Sequence, residues 1–368
     1  MTKELSRTSA LASRHRALGS GLEDWNGMGT AWSYDNDADV EHNAIRESAG
    51  LFDMSGLKKI RVKGPDAQQT VNHIITRDMD KISPGQSAYG SILTSAGTVC
   101  DDAIIYNNNE EWLVVHGSGE TMEALQESAE GKSVDILFDD DLHNLSLQGP
   151  KALEFLDKFT PIALSQLKYF QQQQTTVFGK DCLISRTGYS GERGYEIFVG
   201  ADVVCDVWDN ILSKGEKEGI MPCSFTCLDK VRIEAALLFF GYDMTAEHTP
   251  WEVGLGWTVS KKKSSFRGKE AVLASRGKER FKFAGLVIKH DDSLVGGEKI
   301  MLDNKQVIGT VNSPCWSARL QKSLALAHIN CGYTDIGRSV FIEAEDKVLN
   351  AKIVETPFYD PQKLNTHK

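Results

Sequence analysis

Two adjacent carboxylates, Asp101 and Asp102, sit inside an otherwise apolar stretch, "GTVCDDAIIY". On a strand, successive side chains point to opposite faces. One aspartate then shares a face with Cys100, Ile104 and Tyr106, the other with Val99, Ala103 and Ile105. Both companies are apolar, so at least one carboxylate is expected to be partly buried, which is costly unless the group is paired or used. Two readings stand: a carboxylate that places charge or holds a proton for a reaction, or a pair that caps the turn before the strand.

A third carboxylate poses the same choice. Glu196 lies between Tyr195 and Ile197 in "SRTGYSGERGYEIF" and shares a strand face with Phe198. It is either on a solvated face or at a binding site. Gly188, Gly191 and Gly194 precede it, and such loops let a backbone approach a ligand. Two aromatic groups accompany these acids. "DWNGMGTAWSY" holds Trp25, Trp32 and Tyr34; "LLFFGYDMTAEHTPWEVGLGW" holds Phe239, Phe240, Tyr242, Trp251 and Trp257. Such rings either fill a core or cage a quaternary cation, the latter worth about 0.5–2 kcal/mol per ring.

Other chemistries are absent from the sequence. There is no G-x-x-x-x-G-K-[ST] loop, no HExxH, no G-x-S-x-G and no GxGxxG after a strand. The nine histidines show no ligand spacing, and Cys223 and Cys227 are four apart with no second pair. No metal is expected. The seven scattered cysteines fit reduced thiols and a cytoplasmic location.

The elements that must position these residues follow from turns and periodicity. "GLKKIRVKGPDAQQTVNHIIT" gives a strand over Lys59 to Val62, a turn and a helix from Asp66. Residues 88–118 read as three strands joined by "TSAG" and "NNNEE", then a helix in "ETMEALQESAEG" and strand and turn in "VDILFDDDLHNLSLQGP", so Gly56 to about Asp141 is a compact α+β unit. "ADVVCDVWDNILSKGEKEG" and "FTCLDKVRIEAALLF" are amphipathic helices. "KKKSSFRGK", Lys261 to Lys269, reads as a solvated linker, and the short, regularly spaced strands beyond it as an all-β domain. A net charge of −10, with that single basic cluster, speaks against nucleic acid as partner. No run of about 18 apolar residues predicts a membrane span. The start lacks a secretory apolar core, and Glu4 argues against a transit peptide.

Taken in order, the motifs resemble the glycine-cleavage T-protein family of tetrahydrofolate-dependent aminomethyltransferases and their demethylase relatives. The anchors are "AIRESAGLFDMSGLKKIRVKGPDA", "AYGSILTSAGTVCDDAIIY", "LSLQGPKA", "SRTGYSGERGYEIF", "VRIEAALLFFGYDMTAEHTPWEVGLGW", "FRGKEA" and "SLALAHI". The resemblance implies an α+β fold, a three-domain cloverleaf. Its parts would be a split folate-binding α+β domain (1–56 plus 142–259), a ferredoxin-like α+β domain (57–141) and a C-terminal β-barrel or jelly roll (260–368). It implies tetrahydrofolate as cofactor, Asp102 as the catalytic aspartate, and Glu196, Tyr189, Tyr89 and His116 at the cofactor. A carboxylate suits the pterin, whose 2-amino and N3–H groups form two parallel donors.

The departures fall elsewhere. The family's "FDVSHM" is "FDMSGL", with Gly56 for histidine; its asparagine in "VVN" is His116; its "ARD" arginine is Leu228. The family's "GW" is Gly27-Met28, with Trp32 appearing instead. Trp32, Tyr34, Tyr242, Trp251 and Arg319 are expected around a substrate, with Arg319 replacing the lost charge. These departures favour a demethylase that moves a methyl group from a small N-methyl or S-methyl (onium) compound to N5, giving 5-methyl-tetrahydrofolate. The alternatives are an aminomethyltransferase working with a lipoyl carrier protein and releasing ammonia, and a non-catalytic folate-binding protein.

Overall fold

The computed structural model describes residues 5–345 and 347–367; Glu4 lies outside these. A five-stranded sheet runs in the order Gln86–Leu93, Val99–Asn107, Trp112–His116, Lys58–Lys63, Asp135–Phe138. Its antiparallel register pairs Tyr89 with Ile104, Ser91 with Asp102, and Ala103 with His116. Pro65 opens the turn before the Ala67–Ile74 helix, which packs with the Thr121–Ala129 helix over Ile60, Val62, Ala103, Ile105 and Val114. Each Ile or Val among these contributes about 1.5–3 kcal/mol by leaving water.

The opposite face of this sheet carries Ile104, Tyr106, Leu113 and Val115, which meet Leu183 and Phe198 of a six-stranded sheet. That second sheet is ordered Gln172–Val177, Lys180–Ser185, Gly194–Gly200, Leu142–Gln148, Ala49–Asp53, Ile220–Pro222. Its strands come from before and after the five-stranded unit. Tyr195, Ile197 and Val199 point into a core with Phe155, Val207, Trp208 and Ile211, so Glu196 and Phe198 must point the other way, toward the first sheet.

The strands Phe281–Ile288, Lys322–Asn330, Val307–Ser317, Lys299–Met301, Ser339–Ala344 and Lys347–Val354 close into a barrel, and closure leaves no open edge. Its interior is aliphatic, with Leu286, Ile300, Ile308, Val311, Ile342 and Ile353. A buried network clasps barrel and helices together. Arg46 donates to Glu192 (3.0 Å) and Glu234 (2.6 Å); Glu234 also accepts from Ser317 Oγ (2.5 Å) and contacts His42 Nε2 (2.9 Å). These partners hold the Glu234 carboxyl down at about 2 against the effect of burial, which alone would raise it.

The basic cluster after this helix is not simply a solvated linker. Lys261 and Lys262 are exposed, but Lys263 is buried, with Nζ donating to the carbonyls of Ile75 (2.5 Å), Arg77 (2.7 Å) and Asn72. A buried ammonium finds full satisfaction only from such a cluster of carbonyls. Burial still lowers its pKa to about 7.

Candidate functional site

The paired aspartates divide as strand alternation requires. Asp101, fully buried, faces the helices: its Oδ2 accepts from Thr121 Oγ1 (2.6 Å) and contacts His116 Nδ1 (2.7 Å), and its Oδ1 accepts the Asp102 amide (2.9 Å). Asp102 faces the other sheet and is only half-buried. One expectation fails here. Ile92 pairs with Asp101 and Leu93 with Val99, so Cys100 is an unpaired bulge residue, and it joins the helix-side core instead of Asp102's face.

Tyr89 on the neighbouring strand is placed to hydrogen bond to Asp102. Burial first, then the charge of Asp101, raises its pKa to about 7, while the Tyr89 hydrogen bond opposes the shift. Burial, then the Asp102 charge, holds the Tyr89 phenol far above its usual value. Tyr189 lies within electrostatic reach of both, its hydroxyl donating to the carbonyl of Leu238. Trp257, 62% exposed, stacks on Tyr89 with centroids 6.1 Å apart, and the Arg77 guanidinium lies 5.7 Å from the indole.

Glu196 is not on a solvated strand face; it is 7% exposed. Ser185 and Ser146 flank it in register, and these small side chains leave space around the carboxylate. Asn144 Nδ2 donates to Oε1 (2.9 Å); Thr187 Oγ1 and Tyr106 OH (3.4 Å) donate to Oε2. Tyr106 stands on the same strand and face as Asp102, four residues on. That spans about 13 Å along the strand, so Asp102 on one sheet and Glu196 on the facing sheet, reached through Tyr106, mark the two ends of a stretch long enough for a bicyclic ring. Asn144 Oδ1 is buried with no partner. That oxygen and the remaining lone pair on the carboxylate are acceptors awaiting donors. A pterin's paired N–H groups supply such donors, so the residues present fit the cofactor that the resemblance implies.

Two cavities lie elsewhere. One, of about 10 Å³, is lined by Thr30, Tyr34, Asp53 and Cys223. The other is an open groove of about 390 Å³ between barrel strand Phe281–Ile288 and the C-terminal segment. Neither reaches Asp102, and the assignment of the site rests on the orientation of titratable groups, not on cavity size.

The glycine loop has a local cause. A Cβ at Gly188 or Gly194 would lie 2.1–2.3 Å from the Gln148 amide, which is held by Thr187 O (3.2 Å) and Ser190 Oγ (2.9 Å). These two glycines make room for Gln148, not for a ligand's approach.

Several expected site residues are placed away from this face. His116 pairs in register with Ala103 and sits on the helix side with Asp101. Arg319 is on the surface, 3.4 Å from Glu47, and replaces no charge at the site. Trp251 donates its indole N–H to Val272 O (2.7 Å) and fills a core with Val253 and Phe266. Tyr34 is buried, its hydroxyl 2.9 Å from His15 Nδ1. Tyr242 is exposed, its ring 5.4 Å from Phe239. Trp32 stacks on Phe225 at 4.4 Å, and Trp25 meets the same ring edge-on at 4.9 Å. Trp25, Trp32, Phe225, Leu228, Phe239 and Tyr189 thereby form one apolar wall.

Two departures from the family pattern belong to this wall. Leu228, where the resemblance expects arginine, is buried in it. Arg232, one turn later, is already engaged by Asp229 (2.7 Å), Asp243 (2.5 Å) and Ser313 (2.9 Å). At Gly56, where the resemblance expects histidine, a Cβ would lie 2.3 Å from the Trp25 ring. Gly56→His is therefore expected to displace Trp25 and destabilise the fold by about 1–3 kcal/mol, read as a lower denaturation midpoint with altered tryptophan emission. An unchanged midpoint would show that Trp25 moves freely.

Asn144, Thr187, Tyr106 and Trp257 were not singled out from the sequence as site residues. Tyr106 had a signal, its parity with Asp102; the others are brought in by strand pairing and by the fold of the "GLGW" turn.

The GCVT N-terminal domain family matches residues 11–263, and the glycine cleavage T-protein C-terminal barrel domain matches residues 282–360. Over 368 aligned residues the chain is 44% identical to the heme-dependent oxidative N-demethylase gamma subunit of Ectopseudomonas mendocina, covering 97% of each. It is 33% identical to an aminomethyltransferase of Alkaliphilus oremlandii, covering 97% of this chain and 98% of the other. The crystal structure of glycine cleavage system aminomethyltransferase T from Bartonella henselae superposes with a TM-score of 0.89 at 26% identity, over 96% of this chain and 98% of that one.

Proposed function

The chain belongs to the glycine-cleavage T-protein family of one-carbon transferases, and on that premise we propose that it is the folate-dependent carbon acceptor of an oxidative N-demethylation. The carrying observation is that Asp102 and Glu196, on facing sheets, both point into the interface between them, with Tyr106 reaching from the Asp102 strand to Glu196. The N-demethylase subunit, similar over nearly its whole length, supplies the reaction context.

Oxidative N-demethylation releases its carbon at the oxidation level of formaldehyde. Bound tetrahydrofolate supplies N5 and N10, which condense with formaldehyde to give 5,10-methylene-tetrahydrofolate and water without any change of oxidation level. The preceding two-electron oxidation of the N-methyl group falls, in this reading, to a partner that carries the oxidant; the relative is named as the gamma subunit of a heme-dependent oxidative N-demethylase. Direct methyl transfer, the reaction favoured from the sequence alone, would instead end at 5-methyl-tetrahydrofolate.

The chain's residues have defined tasks in this reading. Glu196 and Asn144 Oδ1 accept the pterin's N–H groups and set its register. Asp102, poised near neutrality, takes up a proton as carbon–nitrogen bonds form and, as a carboxylate, stabilises the positive charge that develops beside it. Tyr89 orients that carboxylate. Arg232, 5.7 Å from the Phe239 ring of the wall around Leu228, is committed to Asp229 and Asp243, which suits a small donor carrying no carboxylate, and the wall's rings keep water from the reacting carbon. An aminomethyl-lipoyl carrier would also fit the Asp102–Glu196 face, so the donor must be tested directly.

The test is condensation of tetrahydrofolate with formaldehyde, followed by folate product mass. Acceleration over the buffer rate that Asp102→Asn abolishes supports the reading. Formation of 5,10-methylene-tetrahydrofolate and ammonia only from an aminomethylated lipoyl carrier overturns it.

A further inference from the structure

Three ligand-type side chains that the folate site does not use meet inside the protein. Cys223 precedes the Phe225–Glu234 helix, Cys227 lies in its first turn, and Glu41 comes from the Ala38–Glu47 helix. Their exposures are 2%, 0% and 0%. One carboxylate oxygen and the two sulfurs all lie within 4.8 Å of one another. Glu41 Oε2 is committed to the helix N-terminus, accepting from Ser224 N (2.8 Å) and Ser224 Oγ (2.7 Å). Glu41 Oε1 is buried and has no partner. A buried carboxylate oxygen without a donor is costly.

We propose that Glu41, Cys223 and Cys227 bind a thiophilic divalent cation of the zinc type, which ties the Phe225–Glu234 helix to the Ala38–Glu47 helix. Cysteine thiolates and a glutamate carboxylate are each established zinc ligands. Ligands about 2.0–2.3 Å from a tetrahedral ion lie about 3.3–3.8 Å apart, so closing these three on a cation needs shifts of about 1 Å. Of the three, Cys223 also lines the cavity of about 10 Å³, roughly the size of one water. The orphaned oxygen favours a cation over a disulfide, because joining the two sulfurs would leave Oε1 unsatisfied. The sequence alone points away from a metal here, since Cys223 and Cys227 lack CxxC spacing and Glu41 is 182 residues distant from Cys223.

The cation would be structural in effect. The helix it anchors carries Phe225, Leu228 and Arg232, so it would hold the apolar wall beside the folate face. This inference stands independently of the proposed reaction.

The test loads the full chain with cobalt(II), with Cys331, the exposed thiol, replaced by Ser throughout. One cobalt per chain with intense thiolate-to-metal charge-transfer absorption is expected, and Cys227→Ser should abolish that absorption. Glu41→Gln should keep a thiolate band while weakening cobalt by about 10- to 100-fold. Circular dichroism of each variant shows whether it is folded; if Cys227→Ser unfolds, the metal content of the folded Glu41→Gln protein decides. Folded protein that binds no cobalt, charge-transfer bands that survive Cys227→Ser, or a mass lower by two hydrogens from a Cys223–Cys227 disulfide would each overturn the proposal.

Discussion

Replacing Asp102 by Asn lowers the rate of carbon capture on tetrahydrofolate by about 10²–10⁴-fold, the range for a lost proton-transfer group, with folate affinity little changed. Asn keeps an acceptor for the Tyr89 hydroxyl, so the loss reports charge and not shape. The pH dependence carries the same signature. Because the Asp102 pKa is raised to about 7, the wild-type rate should climb as pH rises through neutrality and the carboxylate forms. The Asp102→Asn rate should be flat there. The stability sign runs the other way. A carboxyl whose folded pKa lies above its unfolded value favours folding in its protonated form, so this contribution is lost between the ordinary carboxylate range and about pH 7. Asp102→Asn should thus gain melting temperature over wild type more at pH 8 than at pH 5. A variant that loses rate and melting temperature together at pH 8 would make Asp102 a structural group.

Glu196→Gln should weaken tetrahydrofolate binding by removing charge-assisted hydrogen bonds. At about 1.5–3 kcal/mol for hydrogen bonds to a charged group, the dissociation constant rises roughly 10- to 150-fold. The amide also turns a donor toward Thr187 and Tyr106, which already donate to this position, so the loss should lie at the upper end. Calorimetric titration checks it. At saturating folate the rate should recover most of its wild-type value, since this carboxylate positions the ring and does not touch the reacting carbon. Unchanged affinity would remove Glu196 from the cofactor site.

The contrast between these two residues shows what a chain of this kind discloses before its fold is known. Asp102 was legible from alternation within one strand: even-numbered neighbours from Ile104 to Tyr106 share its face, and they do so in the fold. Cys100 broke the pattern because a bulge is set by pairing with Gln86–Leu93, which alternation within one strand does not encode. Glu196 drew notice as a carboxylate among apolar residues. Its partners Asn144 and Thr187 did not, because they lie on another strand and in the loop before its own. Periodicity and turn chemistry point to the α+β unit and to an all-β domain near the C-terminus, and the family resemblance adds the barrel; the six-stranded sheet, drawn from both sides of the α+β unit, is set by long-range pairing that neither pattern encodes. Charge and aromatic content were poorer guides to position. Arg319 and Trp251 carry the right chemistry for a substrate contact, yet one lies on the surface and the other in a core. Trp257 reaches Tyr89 instead. Lys263 looked like part of a solvated run until the carbonyls of Asn72, Ile75 and Arg77 surrounded it.

The most direct measurement follows the isotope. The protein and tetrahydrofolate are supplied in parallel with dideuterated formaldehyde and with a trideuteromethyl amine, and the folate is weighed after a single turnover. The account predicts 5,10-methylene-tetrahydrofolate carrying both formaldehyde deuterons, formed faster than in buffer and only at the buffer rate with Asp102→Asn, and no label from the amine without an oxidising partner. A 5-methyl-tetrahydrofolate retaining all three deuterons of the amine would contradict it and restore direct methyl transfer.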